Sequence, residues 1–398
     1  MKKITTSFFL LCYSALIALG QNADVAPLKV GNLYQIIVNG VVMEIDPAVG
    51  ARITSFKIGN NDTQKKKANT SDNDFGSSLQ PAPQSLWNWP PPPNIDNKPY
   101  AASISNNQVV CIGTADDALK LSVDKKFSGF KSDTSIVIEY IVNNKGTTTR
   151  SVSPWEVTKI NSGGLIFYPK GTGAGTDLAT WTTTTNSIVW YDHDSTLVSS
   201  KSGGSFRSDG AEGWYANVQN SGLVFIKKFT DTPAAQQAPG ENEIKVFIQG
   251  SNGYLSYELQ GPYVSIPANN SVSWKVKWYL RQLPASIKPT KGSTQLVDFV
   301  RNTIAAKVTS LEEPNGLSGM EASIFPQPAF KEFVIKFNQK DFSAIDLSIV
   351  NMQGVEVKKV LNIKDGQAIQ TANLMKGVYT YQLRNELNIL KTGKLVIE

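Results

Sequence analysis

Histidine and cysteine are almost absent. Among 398 residues there is one histidine, His193, and there are two cysteines, Cys12 and Cys111. A zinc centre built from several His and Cys ligands is thereby excluded. A Ser-His-Asp arrangement would have to pass through His193. No Gly-x-Ser-x-Gly elbow and no glycine-rich phosphate loop occurs, so neither of those catalytic frameworks is available. Nothing in the residues calls for a metal or a cofactor. Charge is also sparse, at 18% of residues, against about 25% in average globular chains. The one basic run is Lys65-Lys66-Lys67, too little to track a phosphate backbone, so nucleic acid is not an expected partner. Beyond the N-terminus no stretch reaches the roughly 18 apolar residues of a membrane span.

What is present is Asn, Ser, Thr and Gly in abundance, with many Val, Ile and Tyr. That mixture belongs to short strands joined by turns. The N-terminus differs from the rest. Lys2 and Lys3 precede an apolar run from Phe8 to Leu19, and Ala18 and Gly20 supply small residues before Gln21. Residues 1–20 are expected to be a cleaved signal peptide. A membrane anchor is the alternative, and the short run followed by Gln21-Asn22 argues against it. Cys12 sits inside the apolar run rather than after it, which removes a lipid-anchor reading. Cleavage would take Lys2 and Lys3 away and lower the formal charge from +6 to +4. It would also leave Cys111 alone, so no internal disulfide can form. Cys111 lies in Val109-Val110-Cys111-Ile112 and is expected to be buried.

Strand signals run along most of the chain. Tyr34 to Val38, Asn39-Gly40 and Val41 to Ile45 predict a hairpin with a type I′ turn. Val272, Trp274, Val276, Trp278 and Leu280 alternate with Ser273, Lys275 and Lys277, a half-buried strand. No crossover helices separate the strands, so antiparallel stacked sheets are expected. One helix is predicted after Ser293 or Thr294, with Leu296, Phe299, Val300 and Ile304 as its apolar stripe. The expected organisation is a large all-β domain over residues 25–308, a linker over 309–321, and a small β-sandwich over 322–398.

Several clusters can carry chemistry. Trp87 and Trp89 precede Pro90-Pro91-Pro92-Pro93, a stiff segment that cannot lie in a central strand. Such a loop can present indole rings to the apolar face of a sugar, or pack them on its own sheet. Trp155 stands beside Glu156, and Glu258 lies in Tyr257-Glu258-Leu259-Gln260. A carboxylate among aromatic rings can have a raised pKa and move protons, or can simply accept hydrogen bonds from sugar hydroxyls. Glu212, next to Trp214, is a further acid of this kind. His193 lies between Asp192 and Asp194, which either favour its charged form or mark a solvated turn. Lys227 and Lys228 must point to opposite faces of one strand, so one of them can reach a cleft.

The C-terminal unit resembles the C-terminal sorting domain of the type IX secretion system of Bacteroidetes. The resemblance rests on Phe325-Pro326-Gln327-Pro328, Ile349 to Gly354, Leu374-Met375-Lys376-Gly377-Val378-Tyr379, and the closing Lys391 to Ile397. Gln327 stands where the family has Asn, and Gly354 suits a turn. The resemblance implies export to the cell surface or beyond, with the secretion machinery as partner and the tag often removed. Residues from about Gly31 to Pro284 resemble secreted bacterial proteins of galactose-mutarotase-like fold. Four stretches carry this: Val49-Gly50-Ala51-Arg52-Ile53-Thr54-Ser55-Phe56, Pro83 to Pro90, Pro154-Trp155-Glu156-Val157-Thr158, and Tyr257 to Tyr263 followed by the Trp274/Trp278 strand. The implied fold is a supersandwich of two large antiparallel sheets with a concave, carbohydrate-facing groove. Aldose epimerases of this fold use a histidine acid, a glutamate base and a second histidine, whereas this chain has only His193.

The leading expectation is an exported protein that binds carbohydrate in a cleft of Trp87, Trp89, Trp155 and Lys228, with Glu156, Glu258 and His193 as possible catalytic groups. An epimerase-like enzyme is the first alternative. A glycosidase or lyase, with Glu156 and Glu258 facing across a cleft, is the second. A surface adhesion protein with all these aromatics in its core is the third.

Overall fold

A computed structural model of the protein describes residues 23–250, 253–305, 322–337, 345–351, 356–384 and 389–398. The expected signal segment, the linker and the Gly354 turn lie outside the described residues. The chain divides into two compact units, Met1–Thr309 and Ser310–Glu398.

The first unit is built on two antiparallel sheets. An eleven-stranded sheet runs in the order Leu28–Val30, Leu33–Val38, Val41–Asp46, Arg52–Ile58, Ser77–Ala82, Arg150–Ile160, Leu255–Gln260, Ile244–Gln249, Gly203–Ser208, with two short strands paired at its side. A ten-stranded sheet places Leu165–Pro169, Trp214–Val218, Leu223–Phe229, Ser271–Gln282, Ser135–Asn144 and Leu121–Phe130 in succession, flanked by shorter strands. Side chains alternate along each strand, and one face of each sheet buries its apolar set in a shared core. Ile36, Phe56, Leu79, Tyr257 and Leu259 of the first sheet and Ile136, Tyr140, Phe225, Val276 and Trp278 of the second belong to that core. The expected supersandwich is present.

The Asn39-Gly40 turn has φ of 46° and 83°, both positive, as a type I′ turn needs. Two central strands are less obvious from sequence, because each holds a proline. Pro154 of Arg150–Ile160 is the register partner of Pro81 of Ser77–Ala82. On its other side the neighbouring chain breaks between Gln260 and Val264. A missing N–H is tolerated where the ladder is interrupted. The predicted helix forms over Thr294–Ala305, with the Ser293 hydroxyl accepting from Leu296 N at 3.2 Å. Leu296, Val297 and Val300 are its buried residues. They pack with Phe167, Trp190, Trp214, Val224 and Ile226 on the outer face of the ten-stranded sheet. Cys111 is buried, as expected.

The second unit is a small sandwich. Ala322–Phe325, Glu332–Phe337 and Gln367–Gln370 form a three-stranded sheet, and Glu356–Val360, Asp346–Val350, Gly377–Arg384 and Ile389–Ile397 a four-stranded one. Phe333, Ile335, Leu347, Ile349, Tyr381 and Leu395 fill the space between them.

Candidate functional site

The site of interest is the outer face of the eleven-stranded sheet. Register fixes which residues share it. Gln80, Trp155 and Gln260 form one row, and Ser78, Val157, Glu258, Lys245 and Arg207 the next. Lys159, Ser256, Phe247 and Ser205 form a third. Trp155 packs there with Val157, Ala82 and Ala238, and Trp87 and Tyr263 lie against them.

Trp155 Nε1 donates to Glu258 Oε2 at 3.0 Å, and Lys245 Nζ lies 3.5 Å from the same oxygen. The Lys245 ammonium also stands 4.8 Å from the centroid of the Trp155 ring, within cation–π range. Above Trp155 the proline-rich loop adds two more indoles. Trp87 is 6.5 Å from Trp155 and 6.3 Å from Trp89, centroid to centroid, tilted by 34° and 37°. Trp87 Nε1 is anchored on Pro81 O at 2.7 Å. The three rings form a ladder from floor to surface. Trp155 is 3% exposed, Trp87 half-buried and Trp89 65% exposed. Beside the ladder, Glu241 accepts from Gln84 N at 3.2 Å and from Gln260 Nε2 at 3.4 Å, and pairs with Arg207 at 3.6 Å. Two buried oxygens in these rows, Ser78 Oγ and Gln260 Oε1, have no hydrogen-bond partner among the described residues.

The proline-rich loop is held from below. Arg52 pairs with buried Asp96 at 3.0 Å and donates to Asn73 O and Phe75 O. Gly50 has φ +66°, and a Cβ there would stand 2.0 Å from Asp96 O. The turn before Arg52 therefore admits only glycine.

The other sequence-selected residues lie elsewhere. Glu156 is one position from Trp155 and faces the interior. It is fully buried, 2.7 Å from Lys227 Nζ, and accepts from Tyr140 OH at 2.6 Å. Glu156 and Glu258 project from opposite faces of the sheet, since Glu258 is registered with Val157 and Glu156 with Leu259. They do not face each other across a cleft. Lys228 points to the outer face of the ten-stranded sheet and donates to Glu212 O at 2.7 Å. Burial lowers its pKa. Glu212 is bound bidentately by Arg301, which holds its carboxyl below the usual range. His193 Nδ1 lies 3.3 Å from Tyr191 OH, and Asp194 caps the short helix Ser195–Ser200 through Thr196 N and Leu197 N. The structure thus brings Trp87, Trp89, Trp155 and Glu258 together, and places Glu156, Lys228 and His193 outside that group.

Sequence reasoning missed Lys245 and Glu241. For Lys245 the signal was available: it alternates with Ile244 and Val246, so period two turns it away from their apolar face. Glu241 precedes that strand and carries no such signal. Among the described residues no group of His, Cys, Asp and Glu is arranged to hold a metal ion. Among the same residues no helix is long and apolar enough to cross a membrane.

Comparison with known proteins locates the second unit. Residues 323–398 match the secretion system C-terminal sorting domain. That tail directs the chain through type IX secretion to the cell surface or outside it, with the secretion machinery as partner. No curated protein matches the chain. Among solved structures it is similar to a galactose mutarotase-like protein from Lactobacillus casei, at 11% identity and TM-score 0.44, covering 63% of this chain and 100% of that one. A galactose mutarotase-like protein from Clostridium acetobutylicum is similar at 10% identity and TM-score 0.44, covering 66% and 99%. A galactose mutarotase related enzyme from Lactobacillus acidophilus is similar at 9% identity and TM-score 0.44, covering 64% and 99%.

Proposed function

We propose that this exported chain recognises carbohydrate on the outer face of its eleven-stranded sheet, and does so without turnover. The observation that carries the reading is the indole ladder Trp155–Trp87–Trp89, which climbs from a buried floor to a ring 65% exposed. A large exposed indole on a proline-stiffened loop costs little entropy to hold in place. It offers a flat apolar surface to a sugar ring, and the polar groups beside it suit hydroxyls. Lys245, 14% exposed beside the ladder, would supply such a contact, with Glu258 holding its ammonium from below. The acid expected to act as base, Glu156, is sealed in the interior with Lys227 and Tyr140, out of reach of a surface ligand. In the same reading residues 1–20 are removed on export, residues 25–308 form the recognition domain, 309–321 link it to the tail, and 322–398 serve as the sorting tag.

The test is Trp fluorescence of the full chain titrated with a broad panel of mono- and oligosaccharides, alongside Trp89→Ala. Quenching by at least one sugar is expected, with affinity reduced about tenfold in the variant, equivalent to ~1.4 kcal/mol. A panel with no response would overturn the reading. So would anomeric exchange accelerated by the protein, which would make it an enzyme.

A further inference from the structure

The interior contact between Lys227 and Glu156 is unlike the other ion pairs of the molecule. Both side chains are fully buried, and they come from different sheets: Lys227 from Leu223–Phe229 and Glu156 from Arg150–Ile160. Lys227 Nζ spends its hydrogen bonds on Thr158 Oγ1 at 2.8 Å and Tyr257 O at 3.0 Å. It lies 2.7 Å from Glu156 Oε1. The rings of Tyr257, Trp278 and Phe225 surround it at 4.5, 5.3 and 5.7 Å. Tyr140 OH donates to the second carboxylate oxygen, Glu156 Oε2. An amine and a carboxyl group are thus held in contact, shielded from water, with a proton donor on the oxygen that would have to leave.

We propose that Lys227 and Glu156 condense into an isopeptide bond that joins the two sheets. Burial lowers the Lys227 pKa, and the neighbouring Glu156 charge works against that shift. Burial first, and the Glu156 charge next, raise the Tyr140 pKa well above its ordinary value, which keeps the phenol protonated and able to donate. Nζ attacks the Glu156 carboxyl carbon, Cδ. The Nζ–Cδ bond forms and the Cδ–Oε2 bond breaks. Oε2 leaves as water with two of the three ammonium protons, relayed through Tyr140 OH, which ends as it began. The opposite charges of the pair cancel in the neutral amide, and no oxidant, reductant or activating group is consumed.

Two physical arguments favour the step. Groups fixed in contact react with effective molarities far beyond any free concentration. Two buried charges also carry a desolvation cost that a neutral amide avoids. The link would bridge strands 71 positions apart in an exported chain whose described residues hold one buried, unpaired cysteine. It would do the work a disulfide does in other secreted domains.

Intact-mass spectrometry of the folded full-length chain, with peptide mapping, decides the matter. The wild type is expected to be lighter than its sequence mass by about 18 Da, one water, and to yield a branched peptide joining Lys227 to Glu156. Lys227→Met is expected to have its full sequence mass. A wild type of unmodified mass overturns the proposal even if the variant fails to fold. A deficit that persists in Lys227→Met overturns it too, since the link would then lie elsewhere.

Discussion

The two faces of one strand make the most instructive contrast in this protein. On Arg150–Ile160, Trp155 looks outward to Glu258 and Lys245, while Glu156 looks inward to Lys227 and Tyr140. Each face carries an acid, a lysine and aromatic rings, so their compositions are nearly the same. Their settings are not. The outer set rises through Trp87 to an exposed Trp89, and the inner set is closed off between two sheets. An acid beside an aromatic residue is therefore no guide to function until its face is known. Burial separates a knot that holds the sheets together from a surface that can meet a ligand.

Breaking the inner set should have the largest effect. Glu156→Ala leaves Lys227 buried without its carboxylate, and uncompensated buried charge typically costs roughly 3–5 kcal/mol. Chemical denaturation of the chain should show that loss. Replacing both partners by apolar residues, Glu156→Leu with Lys227→Met, should recover the part of the loss that comes from the unpaired buried charge, and not any part contributed by a covalent link. If the single variant is as stable as wild type, the inner set is not a structural knot.

A third acid sharpens the comparison. Glu243 is buried like Glu156, and among the described residues no salt bridge is formed to it. Its Oε1 accepts from Thr232 N at 2.6 Å. Burial, with Asp231 and Asp209 adding to it, pushes its pKa up to about 8. The folded state then holds a proton that the unfolded chain releases near the ordinary carboxyl value. Its contribution to stability is full at acid pH and is lost as pH rises through about 8. Glu243→Gln, which cannot ionise, should gain on wild type across that window. Melting temperatures of the two proteins at pH 5 and pH 8.5 should differ more at the higher pH. A constant difference would show that Glu243 is ionised in the folded state.

What the sequence makes legible follows from the same distinction. The Asn39-Gly40 hairpin and the Val272–Leu280 alternation are local signals, set by turn chemistry and by period two, and both elements form. The C-terminal sorting domain is legible because its motifs are local as well. The strand Arg150–Ile160 is harder, since Pro154 reads as a strand breaker until the break in its neighbour is seen. Period two says that Trp155 and Glu156 part company, and that Lys227 and Lys228 do. It cannot say which of each pair looks into the core, because that depends on what covers each face of the finished sheet. Lys228 against Lys227 is the same ambiguity met a second time.

The smallest stability effect is expected on the outer face, at Lys245. Its side chain is 14% exposed, 3.5 Å from the buried Glu258 and 4.8 Å from the Trp155 ring. The Glu258 side chain is 4% exposed, so removing the cation carries a desolvation cost, offset in part by the Trp155 Nε1 hydrogen bond that Glu258 keeps. Lys245→Met keeps the apolar stem on Trp155 and removes only the charge. Stability should therefore fall, but by less than the loss from Glu156→Ala, because the Lys245 side chain is 14% exposed and Lys227 is fully enclosed. If the proposed recognition holds, sugar affinity should fall severalfold, because the patch beside the indole ladder would lose its cation. Thermal melts and fluorescence titrations on the same preparations separate the two effects. A variant that binds normally but melts like Glu156→Ala would make the outer patch a second structural knot, and the two faces of the strand would then differ only in how much water reaches them.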